Sequence, residues 1–189
     1  QEVPLYMAMA AVPAGAGAFG LQVMRIGNSA YYQQRAGVAY GRSAGSRVDM
    51  GLQFNYESTV IASYGTTAAF SVAGGILYHP GKQWHVGIRM YYYSQAPVVY
   101  SGGVGFEASR DFLLSAEVMK AANEAAWMKA AACYRIIPQL ALQLGMASRP
   151  PFHRAGVIYH LHALSIMIAA GFHPQLGITP STTIIWQRD

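Results

Sequence analysis

The stretch RVDMGLQFNY, residues 47–56, alternates polar and apolar side chains along its whole length. Its alternate positions form two sets, Val48, Met50, Leu52, Phe54 and Tyr56 on one side and Arg47, Asp49, Gly51, Gln53 and Asn55 on the other. Successive side chains of a β-strand point to opposite faces, so the pattern predicts a strand with one apolar face. That face needs cover, either from a protein core or from lipid.

The composition of the chain favours lipid. Charged residues make up 11% of the sequence, whereas soluble globular domains carry about 25%. The content of 53% apolar residues, 13 Tyr and 20 Gly is typical of a membrane β-barrel. No apolar run reaches the roughly 18 unbroken residues that a membrane helix needs. The 13 Lys and Arg residues are scattered singly, so no nucleic-acid partner is predicted.

The same alternation recurs along the chain and predicts thirteen strands. They span residues 4–12, 17–26, 33–42, 47–56, 66–78, 83–92, 98–108, 112–120, 126–136, 139–147, 152–160, 163–172 and 176–187. Most have the length of about 9–11 residues at which a tilted strand crosses a bilayer. The fold class predicted is all-β, a transmembrane antiparallel up-and-down β-barrel of about 12–14 strands that forms a single domain over residues 1–189.

The predicted connections alternate between two kinds. Tight turns are expected at 13–16, 43–46, 79–82, 109–111, 137–138 and 161–162. Longer or more polar loops are expected at 27–32, 57–65, 93–97, 121–125, 148–151 and 173–175. Short turns at one end and longer loops at the other are typical of outer-membrane barrels.

Charged side chains are sorted by face. Those in mid-strand lie opposite the large apolar residues, and this polar set is predicted to line a lumen: Arg35, Asp49, Gln53, His85, Arg89, Glu107, Glu117, Lys129 and Arg154. The apolar set is predicted to face lipid: Val48, Met50, Leu52, Phe54, Trp84, Val86, Ile88, Leu140, Leu142, Leu144, Leu164, Ile166 and Ile168. A charge facing lipid at the midplane costs roughly 2–4 kcal/mol, so a membrane enforces such sorting.

Three further inferences follow from position along the strands. The cations Arg25, Arg42 and Lys120 break the sorting only at strand ends, where long side chains reach the interface. Adjacent strands predict two ion pairs, Arg35 with Asp49 and Glu117 with Lys129. Aromatic residues at strand ends predict two interfacial girdles, which include Tyr40, Tyr56, Tyr78, Trp84, Tyr92, Phe112, Tyr134, Phe172 and Trp186.

The run from residue 18 to residue 56 resembles Bacteroidota outer-membrane barrels of the broad FadL/PorV-like kind. GVAYGR (37–42) is the closest local match, and LLSAEVMK (113–120) and LALQLGMASRPP (140–151) are similar to later strands of that family. The resemblance implies a barrel in the bacterial outer membrane. Relatives usually carry an Asn-Pro-Ala-Gly-like N-terminal segment and a further strand, both absent here. Single-chain bacterial barrels have even strand numbers, so a total of twelve or fourteen, an earlier strand or a partner strand is expected.

Motifs for chemistry are weak. The glycines between Gly15 and Gly20 have the spacing of a dinucleotide fingerprint, but a strand continues where the fingerprint needs a helix. His160 and His162 flank a turn without an acidic or thiol neighbour in sequence, and no nucleophile accompanies His85. No catalytic residue, cofactor or metal is therefore predicted.

The sequence predicts a non-enzymatic outer-membrane barrel, acting as a structural or docking subunit of a larger secretion or assembly complex. Its expected partners are the lipid bilayer and other proteins of that complex. A passive channel for small or hydrophobic molecules is the alternative. A soluble β-barrel binding protein is the second alternative.

Overall fold

A computed structural model describes residues 3–94, 96–174 and 177–187. These residues form thirteen strands in one sheet, in which neighbours in sequence are neighbours in space. The strands are β1 (Leu5–Ala14), β2 (Gly17–Gly27), β3 (Tyr31–Ser43), β4 (Val48–Ile61), β5 (Gly65–Tyr78), β6 (Trp84–Tyr93), β7 (Ala96–Ser109), β8 (Phe112–Ala121), β9 (Trp127–Ile137), β10 (Leu140–Ser148), β11 (Pro151–Leu161), β12 (Leu164–His173) and β13 (Gly177–Trp186). Within the described ranges, no helix is long and apolar enough to span a membrane.

The predicted all-β, up-and-down antiparallel architecture is confirmed. Twelve strands begin and end within two residues of the predicted bounds. The predicted first residue of the last strand, Leu176, lies outside the described residues, as do Gln95 and Gln175 of two predicted loops. The one large difference is the end of β4, where polar residues continue the strand beyond the predicted last residue, Tyr56.

Strand β4 continues to Ile61, so the predicted loop 57–65 is wrong. Glu57, Ser58 and Thr59 look like loop residues by polarity, yet they pair in register with Arg35, Gln34 and Gln33 of β3. The connection to β5 is only residues 62–64. A polar partner on the neighbouring strand keeps these residues in the sheet.

The predicted contrast between tight turns and longer loops is also wrong. Connections after odd-numbered strands are residues 15–16, 44–47, 79–83, 110–111, 138–139 and 162–163. Connections after even-numbered strands that lie wholly within the described residues are 28–30, 62–64, 122–126 and 149–150. The longest in each set has five residues, because the strands take in polar residues that the sequence assigned to loops.

The described residues divide into two compact units. The first contains β1–β5 with residues 87–94, 96–100 and 121–124, and the second contains residues 79–86, 101–120, 125–174 and 177–187. In the first unit, the register aligns Val38, Phe54 and Val72 on one face. In the second, it aligns Leu142 with Val157 and Ile168. Each unit therefore has its own apolar face.

Burial is inverted relative to a soluble protein. Among the described residues, the buried apolar side chains are all alanines, namely Ala69, Ala121, Ala141 and Ala169. The large apolar side chains are outside instead, and Phe54 is 56% and Ile168 is 65% exposed. All thirteen residues predicted to face lipid lie on the apolar faces and are exposed or half-buried. Soluble monomers rarely leave apolar patches larger than a few hundred Å² uncovered.

Aromatic contacts on these faces join residues of the predicted girdles to neighbouring strands. The ring centroids are 4.9 Å apart for Phe19 and Tyr40, 5.4 Å for Tyr56 and Phe70, 4.5 Å for Trp84 and Phe106, and 6.1 Å for Phe112 and Tyr134. Tilted and edge-on pairs at such separations stabilise beyond the area they bury. Phe106 was predicted at a strand end with Trp84, whereas Phe19 and Phe70 extend the aromatic set beyond the predicted residues.

Candidate functional site: the polar face

A carboxylate on β4 is the centre of the polar face of the first unit. Glu57 Oε1 accepts hydrogen bonds of 2.8 Å from Ser71 Oγ and of 2.8 Å from Tyr91 Oη. Arg35 Nε lies 3.1 Å from the same oxygen because Arg35 and Glu57 are direct partners in the register. The Nε–H group of Arg35 is buried without a directed hydrogen bond, so this contact acts as an ion pair.

The network continues across the sheet from Ser71. Asn55 Nδ2 donates to Ser71 Oγ at 3.1 Å, and Gln53 Nε2 donates to Asn55 Oδ1 at 2.7 Å. The same Gln53 amide donates to Gln22 Oε1 at 3.1 Å. Asn55 and Ser71 are only 4% and 1% exposed, so these bonds satisfy groups that would otherwise be costly to bury. Side chains of β2 to β6 are thus linked into one polar brace.

A glycine makes room for this brace. Gly37 of β3 lies opposite Asn55 of β4. A Cβ at residue 37 would clash with Asn55 Oδ1 and lie 3.3 Å from Gln53 Nε2. Only a residue without a side chain leaves the Asn55 amide in place.

The second unit holds smaller groups of polar contacts on its own polar face. His85 Nε2 is 3.1 Å from Glu107 Oε1, and His79 Nδ1 is 2.6 Å from His85 Nδ1. Arg154 Nη2 donates to Ser181 Oγ at 3.3 Å. Charged and polar groups therefore contact one another across strands in each unit, some between neighbouring strands and others over an intervening strand.

One predicted ion pair is wrong. Asp49 lies opposite Ser43 and accepts a hydrogen bond of 2.5 Å from its hydroxyl, while Arg35 pairs with Glu57. The error is one of register, because alternation defines the face of a strand and leaves its cross-strand partner open. Glu117 and Lys129 lie opposite each other in the register, and their ion pair stays a prediction.

The other predicted residues of the polar set lie on the polar faces by strand alternation. Gln53 belongs to the brace, and Arg89 lies against Gly75, whose missing Cβ would be 3.7 Å from the Arg89 side chain. The sequence-based prediction placed Asn55 on the polar face of β4 but missed Glu57, Ser71 and Tyr91. Continuing the alternation of β4 past Tyr56 places Glu57 on the same face as Asn55, which was the available signal.

The polar groups are not arranged as a metal centre. In the part of the chain that the structure describes, no group of three or more His, Cys, Asp or Glu side chains could hold a metal ion. His160 Nδ1 lies 2.8 Å from Ser165 Oγ, a cross-strand contact that accounts for one nitrogen of its ring. The geometry of the face is that of a cross-braced polar wall.

Comparison with known proteins identifies the class of fold. No protein-family model and no curated protein matches the chain. Solved structures do match, among them a triple mutant of the Rhodopseudomonas blastica porin, with 10% identity and a TM-score of 0.50 over 95% of this chain and 88% of that chain. Another mutant of the same porin has 7% identity and a TM-score of 0.51 over 96% and 88%.

A further match comes from work on the "asymmetric conductivity of engineered proteins", with 6% identity and a TM-score of 0.53 over 96% of this chain and 89% of that chain. At such identities the likeness defines the fold alone. The chain has the fold of the Rhodopseudomonas blastica porin, which confirms the predicted fold class. The resemblance to Bacteroidota FadL/PorV-like barrels finds no support among these structures.

Proposed function

We propose that this chain is a non-enzymatic β-barrel protein of the bacterial outer membrane that works as a passive channel for small solutes. The observation that carries the proposal is that the two faces of the sheet differ in polarity. One face exposes large apolar side chains such as Phe54, and the other holds Glu57, Arg35 and their hydrogen-bonded partners. Lipid covers the first face and water covers the second. The likeness to porins supports this reading.

The polar brace suits a channel wall. Near the bilayer midplane, strands that face water on one side and lipid on the other carry charges on the side that faces water, because a charge facing lipid there costs roughly 2–4 kcal/mol. Hydrogen bonds from Ser71 and Tyr91 hold the Glu57 carboxylate, so its charge stays at a fixed position beside Arg35. Fixed charges of both signs on a pore wall set its ion selectivity.

Ion selectivity supplies the first test. The purified protein, refolded and inserted into a planar lipid bilayer, is expected to give steady single-channel conductance. Glu57→Gln removes a negative charge and is expected to shift the reversal potential in a salt gradient towards anion selectivity. Arg35→Gln removes the opposing positive charge and is expected to shift it towards cation selectivity.

Arg42→Gln is the matched control, because Arg42 lies opposite Met50 on the apolar face and its loss is expected to leave selectivity unchanged. Absence of conductance above the lipid background contradicts a channel. If Glu57→Gln and Arg35→Gln shift the reversal potential in the same direction, the result contradicts the placement of these two residues on the pore wall.

A docking subunit of a larger membrane complex is the second candidate, favoured by β1. The alternate positions of β1 that share a face with Gln22 and Met24 are Met9 and Met7, which are 68% and 52% exposed. This strand is apolar on both faces, and a partner protein could cover the face that lipid does not. No conductance together with a stoichiometric partner retained in mild detergent would favour this candidate over the channel.

A further inference from the structure

A groove of about 440 Å³ lies near one end of strands β1 to β4 in the first unit. Most of its lining residues belong to the apolar face, and Met7, Met24 and Arg35 of the opposite face also contribute. Its lining includes Tyr6, Arg25, Gln34, Ala36 and Tyr56. The register places Tyr6, Arg25 and Gln34 in one row across three strands. In the next row Ala36 lies opposite Tyr56. The small Ala36 side chain therefore forms the floor of the groove, between larger side chains such as Tyr56 and Gln34.

Arg25 is the unusual member of this lining, because it is a cation on a face made of apolar residues. Its guanidinium carbon lies 4.3 Å from the centroid of the Tyr32 ring, and this cation–π contact holds the side chain against the sheet. Among residues 3–94, 96–174 and 177–187, no carboxylate forms an ion pair with Arg25. Its charge is therefore available to an anion from outside the protein.

Neutral hydrogen-bonding groups surround this charge. Tyr6, Gln34 and Ser58 all line the same groove. Their hydroxyl and amide groups donate hydrogen bonds in any charge state of the ligand. A guanidinium presents a planar fork of donors that fits phosphate oxygens in pairs. The groove thus combines the Arg25 cation, neutral donors and an apolar floor, while Arg35, which also lines it, is paired with Glu57.

We propose that this groove binds a lipid with an anionic phosphodiester headgroup, with the phosphate on Arg25 and the start of an acyl chain over Ala36. The inference rests on the proposed insertion of the chain into a membrane, but not on its acting as a channel. A cation on a lipid-covered face is tolerated at the depth of the headgroups, where lipid phosphates lie. The mixed polar and apolar lining matches a lipid rather than a free phosphate ion.

Lipid titration of the refolded protein in detergent micelles tests the site. Native mass spectrometry measures retained dioleoylphosphatidylglycerol and dioleoylphosphatidylcholine, which share acyl chains and differ in headgroup charge. The wild type is expected to retain the anionic lipid preferentially. Arg25→Gln is expected to weaken its binding by about tenfold or more, as loss of a charged hydrogen bond implies.

Two variants complete the design. Arg47→Gln removes the same charge from a turn residue outside the groove and is expected to leave lipid binding unchanged. Ala36→Leu fills the floor without changing any charge and is expected to weaken binding too, which keeps the proposal testable if Arg25→Gln does not fold. Equal retention of both lipids overturns the proposal. So does equal weakening by Arg25→Gln and Arg47→Gln, or full competition by inorganic phosphate.

These results are separable from those for the channel. A protein without conductance that still binds phosphatidylglycerol through Arg25 refutes the channel and keeps the lipid site. A conducting protein whose Arg25→Gln variant retains the lipid unchanged refutes only the lipid site.

Discussion

Ala116→Arg is expected to destabilise the folded protein in lipid vesicles by about 2–4 kcal/mol, the cost of a basic side chain near the bilayer midplane. Ala116 lies in the middle of β8, on the face that Val118 and Leu114 share, and is exposed. In our account this exposure is to hydrocarbon, where the guanidinium finds neither water nor a counter-ion. The free energy of unfolding in urea, measured for protein refolded into vesicles, gives the value.

Ser115→Arg is the matched control for this variant. Ser115 precedes Ala116, is also small and exposed, and shares the opposite face with Glu117 and Lys129. An arginine there meets water, so the free energy of unfolding is expected to change by less than about 0.5 kcal/mol. In a soluble protein both positions would tolerate arginine, and equal effects of the two variants would contradict the membrane account.

Gly37→Ala is expected to destabilise the protein by about 1–3 kcal/mol, the cost of leaving a buried polar group without its partner. The new methyl group would clash with Asn55 Oδ1, so the Asn55 amide must move. Its bonds to Gln53 and Ser71 would then be lost, and the brace that leads to Glu57 would be broken. Urea unfolding in the same vesicles measures the change.

Gly41→Ala provides the comparison on the same strand and the same face. A Cβ at residue 41 meets only Met50 O at 3.7 Å, an ordinary van der Waals contact. Alanine there restricts the unfolded chain and is expected to stabilise the protein by up to about 1 kcal/mol. If both alanine variants had the same effect, the fit between Gly37 and Asn55 would not be what stabilises the brace.

Much of the fold was predictable from alternation. The pattern of residues 47–56 defines a strand and its faces, because apolar and polar side chains must be separated whichever solvent covers them. The ends of strands were harder to predict where polar residues continue a strand, as at Glu57. Polarity alone does not distinguish a loop from a strand whose polar face meets polar partners.

The site was only partly predictable, because its contacts depend on register. The predicted face of Arg35 was correct, but its predicted partner, Asp49, was wrong. In the register Arg35 lies opposite Glu57, further along the same strand. Ser71 and Tyr91 carry no sequence signal for the brace, since they meet Glu57 only once β4, β5 and β6 are aligned. Local patterns define faces, and alignment of several strands defines the network.

The three tryptophans allow the central claim to be measured directly. Trp84 and Trp186 lie on the apolar face of the second unit and are 47% and 69% exposed. Trp127 is half-buried and lies opposite Met119, on the face that Lys129 shares. Variants that keep one tryptophan and replace the others with phenylalanine, refolded into vesicles with brominated acyl chains, report contact with lipid by fluorescence quenching.

Our account predicts strong quenching of Trp84 and Trp186 and weak quenching of Trp127, because only the apolar face contacts acyl chains. Equal quenching of all three tryptophans, or no quenching of Trp84 and Trp186, would contradict it.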